Sequence, residues 1–261
     1  MADYGDRHLN LMRTLEAAEP CAPTMPLTHC TKSEYFFDMI REGAISKRPC
    51  KVFGEELVYL FYGRPSYRPY AETANTSLDA FRPVALLFRP EAIAAIRRIH
   101  PFDTGAFANG LYGHFIPGHA RMQNYEIRPD LEAASKSVSF FFGSNRNYYL
   151  GRTAPGASAP PANPTVSSLL GMFQARGLSE VDDRRSAIEV QVAADVKLDS
   201  DAIMAICLPS DYCEDDSLLA LITEDWKADI IGYDIYHDSP MHDMREVMAR
   251  VKDYLEAKAL L

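Results

Sequence analysis

Three short segments, far apart in the chain, carry side chains suited to one kind of chemistry. Residues 27–31 place His29 at the end of a short apolar strand, ahead of a helix. Residues 59–68 form an aromatic strand that breaks at Gly63 into a loop carrying Arg64. Residues 184–192 place one carboxylate, Glu189, in a β-branched strand. A polar strand end, an aromatic platform and a lone carboxylate are suited to holding a nucleoside and stabilising positive charge on its sugar.

The strand around Glu189 has two possible interpretations. Period-two alternation puts Ile188, Val190 and Val192 on the core face and leaves Glu189 and Gln191 on the other face. Glu189 is then either a carboxylate directed at a ligand or an ordinary glutamate facing solvent from a half-buried strand. The pattern alone favours neither.

The aromatic strand also leaves a choice open. Tyr59 and Phe61 share one face of the strand, and Leu60 and Tyr62 share the other. A flat cationic ring such as nicotinamide suits an electron-rich aromatic face. Tyr62, next to the Gly63 break, is the first candidate for that contact and Tyr59 the second. The alternative is that these rings only pack in the core.

The order histidine, aromatic-arginine, glutamate resembles the NAD-dependent ADP-ribosyltransferase superfamily. More narrowly, it is similar to the DarT-like transferases, which attach ADP-ribose to nucleic-acid bases. His29-Cys30-Thr31 matches that family's His-x-Thr element, and the helix after it ends in Ile-Arg-Glu-Gly at Gly43. Residues 60–66 match the aromatic run closing on Arg-Ser-Pro, with proline and serine exchanged. Residues 188–192 follow the family's Ala-Glu-Val-Leu-Val strand.

The resemblance implies a role for each matching position. Glu189 would accept a hydrogen bond from the 2′-hydroxyl of the nicotinamide ribose, His29 would hold the adenosine-side ribose, and the Cys30 backbone would clamp the nicotinamide carboxamide. The guanidinium of Arg64 is suited to pairing with pyrophosphate or to activating the acceptor. The candidate catalytic residues are Glu189 and Arg64, and the candidate NAD-binding residues are His29, Cys30, Thr31, Tyr59, Tyr62 and Arg68.

The residues before Glu189 limit the chemical class of the acceptor but do not identify it. Protein-arginine transferases of this superfamily usually carry Glu or Gln two residues before the catalytic glutamate, and here that position is Ala187. Arginine is therefore not the expected acceptor. The preceding loop contains Glu180, Asp182 and Asp183, which suit a basic or neutral acceptor better than bare phosphate. A nucleic-acid base and a protein side chain both remain open.

The expected function is mono-ADP-ribosyl transfer from NAD to a macromolecule, without a metal. The family resemblance further implies a toxin or antiphage effector that acts with an antitoxin or immunity partner. Two alternatives use the same residues: an NAD glycohydrolase with water as the acceptor, and an inactive module that binds NAD or ADP-ribose.

Composition excludes several other classes of protein. A net charge of −9 and a pI near 5.3 have the wrong sign for a protein held to nucleic acid mainly by phosphate contacts. No apolar stretch approaches the roughly 20 residues of a membrane helix, so a cytoplasmic protein without a membrane partner is expected. The five cysteines lack paired CxxC spacing, which argues against a disulfide scaffold and a structural zinc site.

Strands and helices are mixed without strict alternation, which predicts an α+β fold. With the resemblance, the expected architecture is an ADP-ribosyltransferase-like split mixed β-sheet with flanking helices. We expect a single domain over residues 1–261, with a helical and loop insertion at 101–179. The local patterns also predict helices over 90–98 and 105–114.

Overall fold

The computed structural model of the protein describes residues 7–66, 78–175, 184–235 and 240–261. The strands of the main sheet are β1 (Leu27–Lys32), β3 (Arg48–Pro49), β4 (Glu56–Tyr62), β5 (Pro83–Phe88), β6 (Ile96–His100), β7 (Glu189–Val192), β9 (Ile203–Pro209) and β10 (Asp229–Tyr233). They follow the order β10-β9-β5-β1-β4-β7-β6, and β3 pairs with β4 off this path. Two short strands, β2 (Ala44–Ile45) and β8 (Val196–Lys197), pair separately.

The sheet is mixed, because β9 and β10 run parallel whereas its other neighbouring strands pair antiparallel. The helices are α1 (Arg7–Glu16), α2 (Ser33–Glu42), α3 (Thr104–Ala108), α4 (Leu131–Phe142), α5 (Asn145–Tyr149), α6 (Pro164–Gln174), α7 (Asp216–Ala220) and α8 (Pro240–Ala257). A mixed sheet with flanking helices confirms the predicted α+β class.

Helix α2 follows directly from β1 and is where the pattern predicts it. Gly43 ends the helix in the left-handed conformation at φ 68°, and its N–H bonds to the carbonyl of Ile40. A residue with a Cβ is strained at this φ, so glycine is the natural end of this helix. The end of α2 thereby turns the chain into β2.

The helix predicted over 90–98 is not present. Residues Pro90–Ala92 form a single 3₁₀ turn, and Ile96–His100 form strand β6 at the edge of the sheet. Ala95 takes a positive φ of 55°, which a continuing α-helix does not allow. Pairing with β7 then supplies the backbone hydrogen bonds that a helix would have made internally. Tertiary pairing overrides the local pattern here.

The described residues between β6 and β7, 101–175 and 184–188, form short helices joined by turns and loops. The helix predicted over 105–114 is shorter, because α3 ends at Ala108 and turns follow. Helices α4 and α6 pack against α1. Asp103 caps α3 by accepting a hydrogen bond from the N–H of Ala106 at 2.7 Å. This cap fixes the chain directly after β6, next to the candidate site.

Both faces of the central strands are covered. Every residue of β5 is buried, and α8 packs on β5, β9 and β10. The fully buried Arg82 donates to Asp243 of α8 at 2.6 Å, which joins the start of β5 to that helix. Removing one partner of a buried ion pair is strongly destabilising, because the other charge is then buried without compensation. Among the described residues, no helix is long and apolar enough to cross a membrane.

Candidate active site

A cleft of about 1240 Å³ opens where β1 and β4 separate. The two strands pair only at Leu27–Tyr62 and Thr28–Phe61, although β1 continues to Lys32. The residues that line the cleft come from β1, α2, β2, β3, β4, the start of α3, the turns beside these elements and two later positions, Arg184 and Glu189. Small-molecule sites commonly occupy roughly 300–1000 Å³. The cleft is thus large enough for a dinucleotide.

The structure brings the three segments of the sequence analysis together. Strands β1, β4 and β7 are neighbours in the sheet, in that order. The candidate residues that line the cleft are His29, Cys30, Thr31, Tyr59 and Glu189. Tyr62 and Arg64 do not line it, and Arg68 lies outside the described residues.

His29 occupies the opening between the separated strands. Its Nδ1 atom lies 2.9 Å from the backbone oxygen of Tyr59. A carbonyl oxygen only accepts, so this bond requires a proton on Nδ1. Burial lowers the pKa of His29 below its usual value, which favours the neutral ring. Nε2 is then a hydrogen-bond acceptor on a residue that lines the cleft.

The peptide groups of Cys30 point into the same opening. Backbone groups in an antiparallel strand face alternate neighbours from one residue to the next. Ser33 N bonds to Arg82 O beside β5, and Gly63 N bonds to Pro26 O beside β4. Odd-numbered residues of this segment therefore turn their peptide groups towards β5, and even-numbered ones towards β4. The N–H and C=O of Cys30 thus face the side from which β4 has moved away.

The side chains of Cys30 and Thr31 add little reactivity. Burial raises the pKa of the Cys30 thiol to about 12, although a hydrogen bond from the Ser66 backbone opposes that shift. A neutral thiol is a poor nucleophile. Thr31 is buried and lines the cleft just before α2 begins. The groups of this segment that are suited to binding a ligand are the Cys30 backbone and the His29 ring.

Tyr59 and Phe61 are the aromatic residues of β4 that reach the cleft. Their alternation with buried Leu60 puts both rings on the face that carries Glu189, since Phe61 is the register partner of Glu189. The Tyr59 hydroxyl donates to Cys50 Sγ at 2.6 Å, which holds the ring in place. The second aromatic candidate of the sequence analysis is therefore the one in the cleft.

Tyr62, the first aromatic candidate, lies in the core instead. It is fully buried, and its hydroxyl accepts a hydrogen bond from Met25 N at 3.1 Å. Its carbonyl accepts one from the Tyr148 hydroxyl at 2.8 Å. Alternation along β4 places this ring on the face opposite Glu189. Tyr62 cannot stack on a ligand in the cleft from this position.

Arg64 also points into the protein rather than into the cleft. Its side chain is buried, Nη1 donates to Ser186 Oγ at 2.7 Å, and its backbone oxygen accepts from Thr28 Oγ1 at 2.8 Å. These bonds join the end of β4 to β1 and to the residues just before β7. The placement supports a structural role for Arg64 in holding the three strands together.

Glu189 is buried, which excludes a solvent-facing glutamate. Its side chain is only 2% exposed. Thr104 donates to both carboxylate oxygens, through its N–H to Oε2 at 3.0 Å and its hydroxyl to Oε1 at 2.7 Å. Gln191 Nε2 donates to Oε1 at 2.8 Å. Three donors thus hold one carboxylate at the wall of the cleft.

Burial and a second carboxylate perturb the acidity of Glu189. Burial raises its pKa to about 8, and the negative charge of Asp103 adds to that increase. The hydrogen bonds from Gln191 and Thr104 oppose the shift, because they stabilise the charged form. Strongly perturbed carboxyls in clefts are typical of functional sites. A cationic ligand beside Glu189 would lower this pKa again.

Asp103 and Arg184 form an ion pair at the cleft wall. Arg184 Nη1 lies 3.1 Å from Asp103 Oδ2, and both side chains are largely buried. Asp103 also caps α3, and the next residue, Thr104, holds Glu189. Arg184 therefore brings a guanidinium to the cleft at a position where the sequence analysis had placed Arg64.

Sequence reasoning did not identify Asp103 and Thr104. An aspartate before a threonine and a glycine is a recognisable helix-capping signal, and it marks the start of α3 one residue before the predicted helix. Nothing in that signal points to Glu189, which lies 85 positions later in the chain. The contact depends on β6 and β7 being neighbours.

The charged residues that line the cleft do not favour a polyanion. The acidic ones are Asp38, Glu42, Asp103 and Glu189, and the basic ones are Lys32, Arg48 and Arg184. Glu42 and Arg48 lie 3.9 Å apart, and Asp103 is paired with Arg184. No surplus of positive charge lines the cleft within the described part of the chain.

Comparisons of the chain with protein-family models, curated proteins and solved structures gave no match.

Proposed function

We propose that the protein is a mono-ADP-ribosyltransferase that uses NAD as the donor. The observation that carries this proposal is the meeting of His29, Tyr59 and Glu189 in one cleft, on the adjacent strands β1, β4 and β7. The cleft opens in a split of the sheet, which is the architecture that the family resemblance implies. The proposal covers the type of reaction and the identity of the donor.

The nicotinamide end of NAD fits the split between β1 and β4. A carboxamide has both a donor and an acceptor, and the N–H and C=O of Cys30 face this opening as a matching pair. The rings of Tyr59 and Phe61 offer an aromatic wall for the flat cationic ring. His29 Nε2 can accept a hydrogen bond from a ribose hydroxyl, and Arg184 can pair with pyrophosphate.

The reaction breaks the bond between the nicotinamide nitrogen and ribose C1′. Nicotinamide leaves with the bonding electron pair, and positive charge develops on the sugar. The acceptor then forms a bond to C1′ and gives up a proton. Glu189 contributes in its charged form, because a preorganised carboxylate next to the sugar stabilises the developing cation. Its hydrogen bond to the 2′-hydroxyl would orient the ribose for this step.

The acceptor is a macromolecule, either a nucleic-acid base or a protein side chain. The mixed charge of the cleft does not supply the phosphate contacts that dominate most nucleic-acid binding. The toxin or antiphage role, with an antitoxin or immunity partner, rests on the family resemblance. A cytoplasmic location would give such an enzyme access to both NAD and either acceptor.

One experiment separates the candidate activities. Purified protein is incubated with NAD labelled in its adenylate part and with cell extract, and the label is followed in nucleic acid, in protein and in free ADP-ribose. We expect label on a macromolecule, released by nuclease or by protease according to the acceptor. Free ADP-ribose alone would identify an NAD glycohydrolase, and intact NAD would leave only a binding module.

Matched variants make the result specific to the site. Glu189→Gln should strongly reduce labelling, whereas Glu56→Gln, at an exposed position on the neighbouring strand, should leave it unchanged. The melting temperature of each protein, with and without millimolar NAD, establishes folding and binding separately. Folded wild-type protein that neither binds nor consumes NAD would overturn the proposal.

A further inference from the structure

We propose that Thr104 is the positioning residue of this site, which fixes the Glu189 carboxylate so that Oε2 faces the donor sugar. The proposal rests on the proposed function, because it assigns a reacting oxygen for that chemistry. It concerns a residue outside the three sequence segments.

The hydrogen bonds distinguish the two carboxylate oxygens. An ionised carboxylate oxygen has about two lone-pair positions. Oε1 accepts from the Thr104 hydroxyl at 2.7 Å and from Gln191 Nε2 at 2.8 Å, which fills both positions. Oε2 accepts from Thr104 N at 3.0 Å, the one bond to it within the described part of the chain. One position on Oε2 therefore remains for a ligand hydroxyl.

The Thr104 hydroxyl has a function that a side chain without a hydroxyl would not supply. Thr104 Oγ1 donates to Glu189 and lies 3.4 Å from Gln191 Nε2, so the three side chains form a closed triangle. The backbone N–H would remain after substitution, but it holds Oε2 only. Without the hydroxyl, the carboxylate keeps its bonds to Thr104 N and Gln191 Nε2 but loses the shortest of its three hydrogen bonds, so its orientation is held less tightly.

The neighbouring charges define the electrostatic setting of this triangle. Asp103 and its partner Arg184 lie on the α3 side, His100 is the register partner of Glu189 on β6, and Tyr59 lies on β4. The Thr104 hydroxyl stabilises the charged form of Glu189. Its removal should therefore raise the pKa of Glu189 further, and its replacement by another hydroxyl should not.

The variants are Thr104→Val, which keeps the shape without the hydroxyl, and Thr104→Ser, which keeps the hydroxyl. Thr165→Val is the matched control, a buried threonine in the first turn of α6. We expect Thr104→Val to lower kcat by about 10- to 100-fold, with KM for NAD changed less than roughly threefold. Its pH–rate profile should move to higher pH, and Thr104→Ser should restore both the rate and the profile.

A second readout needs no turnover. Carbon-13 labelling of glutamate carboxyls follows the titration of Glu189 in the ligand-free protein, where Thr104→Val should shift the midpoint to higher pH. In the wild type, the Thr104 hydroxyl proton should exchange slowly and couple to the Glu189 carboxyl, and this measurement requires no variant to fold. Wild-type kcat and an unchanged Glu189 midpoint in Thr104→Val would overturn the positioning role.

The two proposals fail in different ways. If the wild type consumes no NAD but NMR shows the hydrogen bond from Thr104 to Glu189, the proposed function is wrong and Thr104 still positions the carboxylate. If the wild type is active and the Thr104 hydroxyl proton exchanges rapidly, the positioning role of Thr104 is wrong and the proposed function remains.

Discussion

His29 Nδ1 lies 2.9 Å from the backbone oxygen of Tyr59, across the gap where β1 and β4 no longer pair. The contact replaces a missing backbone hydrogen bond with one from a side chain, so the gap stays open while the carbonyl is satisfied. It also determines which ring nitrogen carries the proton. A strand histidine is thereby converted into an acceptor that lines the cleft.

The first prediction concerns this tautomer. Nitrogen-15 spectra of the ligand-free protein should show His29 as the neutral form protonated on Nδ1, down to a pH below the usual histidine range, because burial lowers its pKa. His29→Phe should reduce the increase in melting temperature caused by NAD, since the Nε2 acceptor is lost. A ring protonated on Nε2 would contradict the predicted role.

The second prediction separates chemistry from binding at Glu189. Its effect should grow as positive charge develops on the ribose, so Glu189→Gln should lower kcat by about 10²–10³-fold. NAD should still raise the melting temperature of this variant, because most of the binding contacts remain. Single-turnover rates and thermal shifts measure the two effects. Unchanged kcat would remove Glu189 from the catalytic role.

The third prediction concerns pH. The pKa of Glu189 is raised from 4.5 to about 8 in the folded protein, so its proton stabilises the fold fully below pH ~4.5, and this contribution is lost as the pH rises to about 8. The free energy of unfolding of wild type, relative to Glu189→Gln, should therefore fall across this range, by up to ~1.4 kcal/mol per pH unit. Denaturant titrations at pH 5, 6.5 and 8 measure it.

The ionisation of Glu189 should also determine how the reaction rate depends on pH. If the charged carboxylate is the active form, kcat/KM should rise with pH and level off above about 8. Residual activity of Glu189→Gln should lack this rise. A profile that falls over the same range would instead make Glu189 a general acid.

The fourth prediction contrasts two arginines. Arg64→Ala should lower the free energy of unfolding by about 2 kcal/mol or more, because it removes a buried charge-assisted bond to Ser186 and leaves a cavity. Arg184→Ala should remain folded and bind NAD more weakly, since Arg184 lines the cleft. The exposed Arg152→Ala is the control. Denaturant unfolding and NAD titration measure both; normal stability of Arg64→Ala would argue for a ligand contact instead.

The sequence by itself determined the α+β class, strand β1 with its helix α2, and the segments that meet in the cleft. Those features depend on local physics: alternation along a strand, and a glycine that ends a helix at φ 68°. The pattern also separated Tyr59 from Tyr62 by face. It could not tell which face borders the cleft, because alternation defines two sides of a strand and not what covers each side.

Only the tertiary structure decided the rest. The chain from Pro90 to Arg98 forms a turn and the start of strand β6 rather than a helix, because β6 pairs with β7. Arg64 turned inward to Ser186, and Thr104 reached Glu189 from 85 positions away. These contacts join residues that are distant in sequence, and local spacing carries no information about such partners. The placement and acidity of the central carboxylate are therefore properties of the fold.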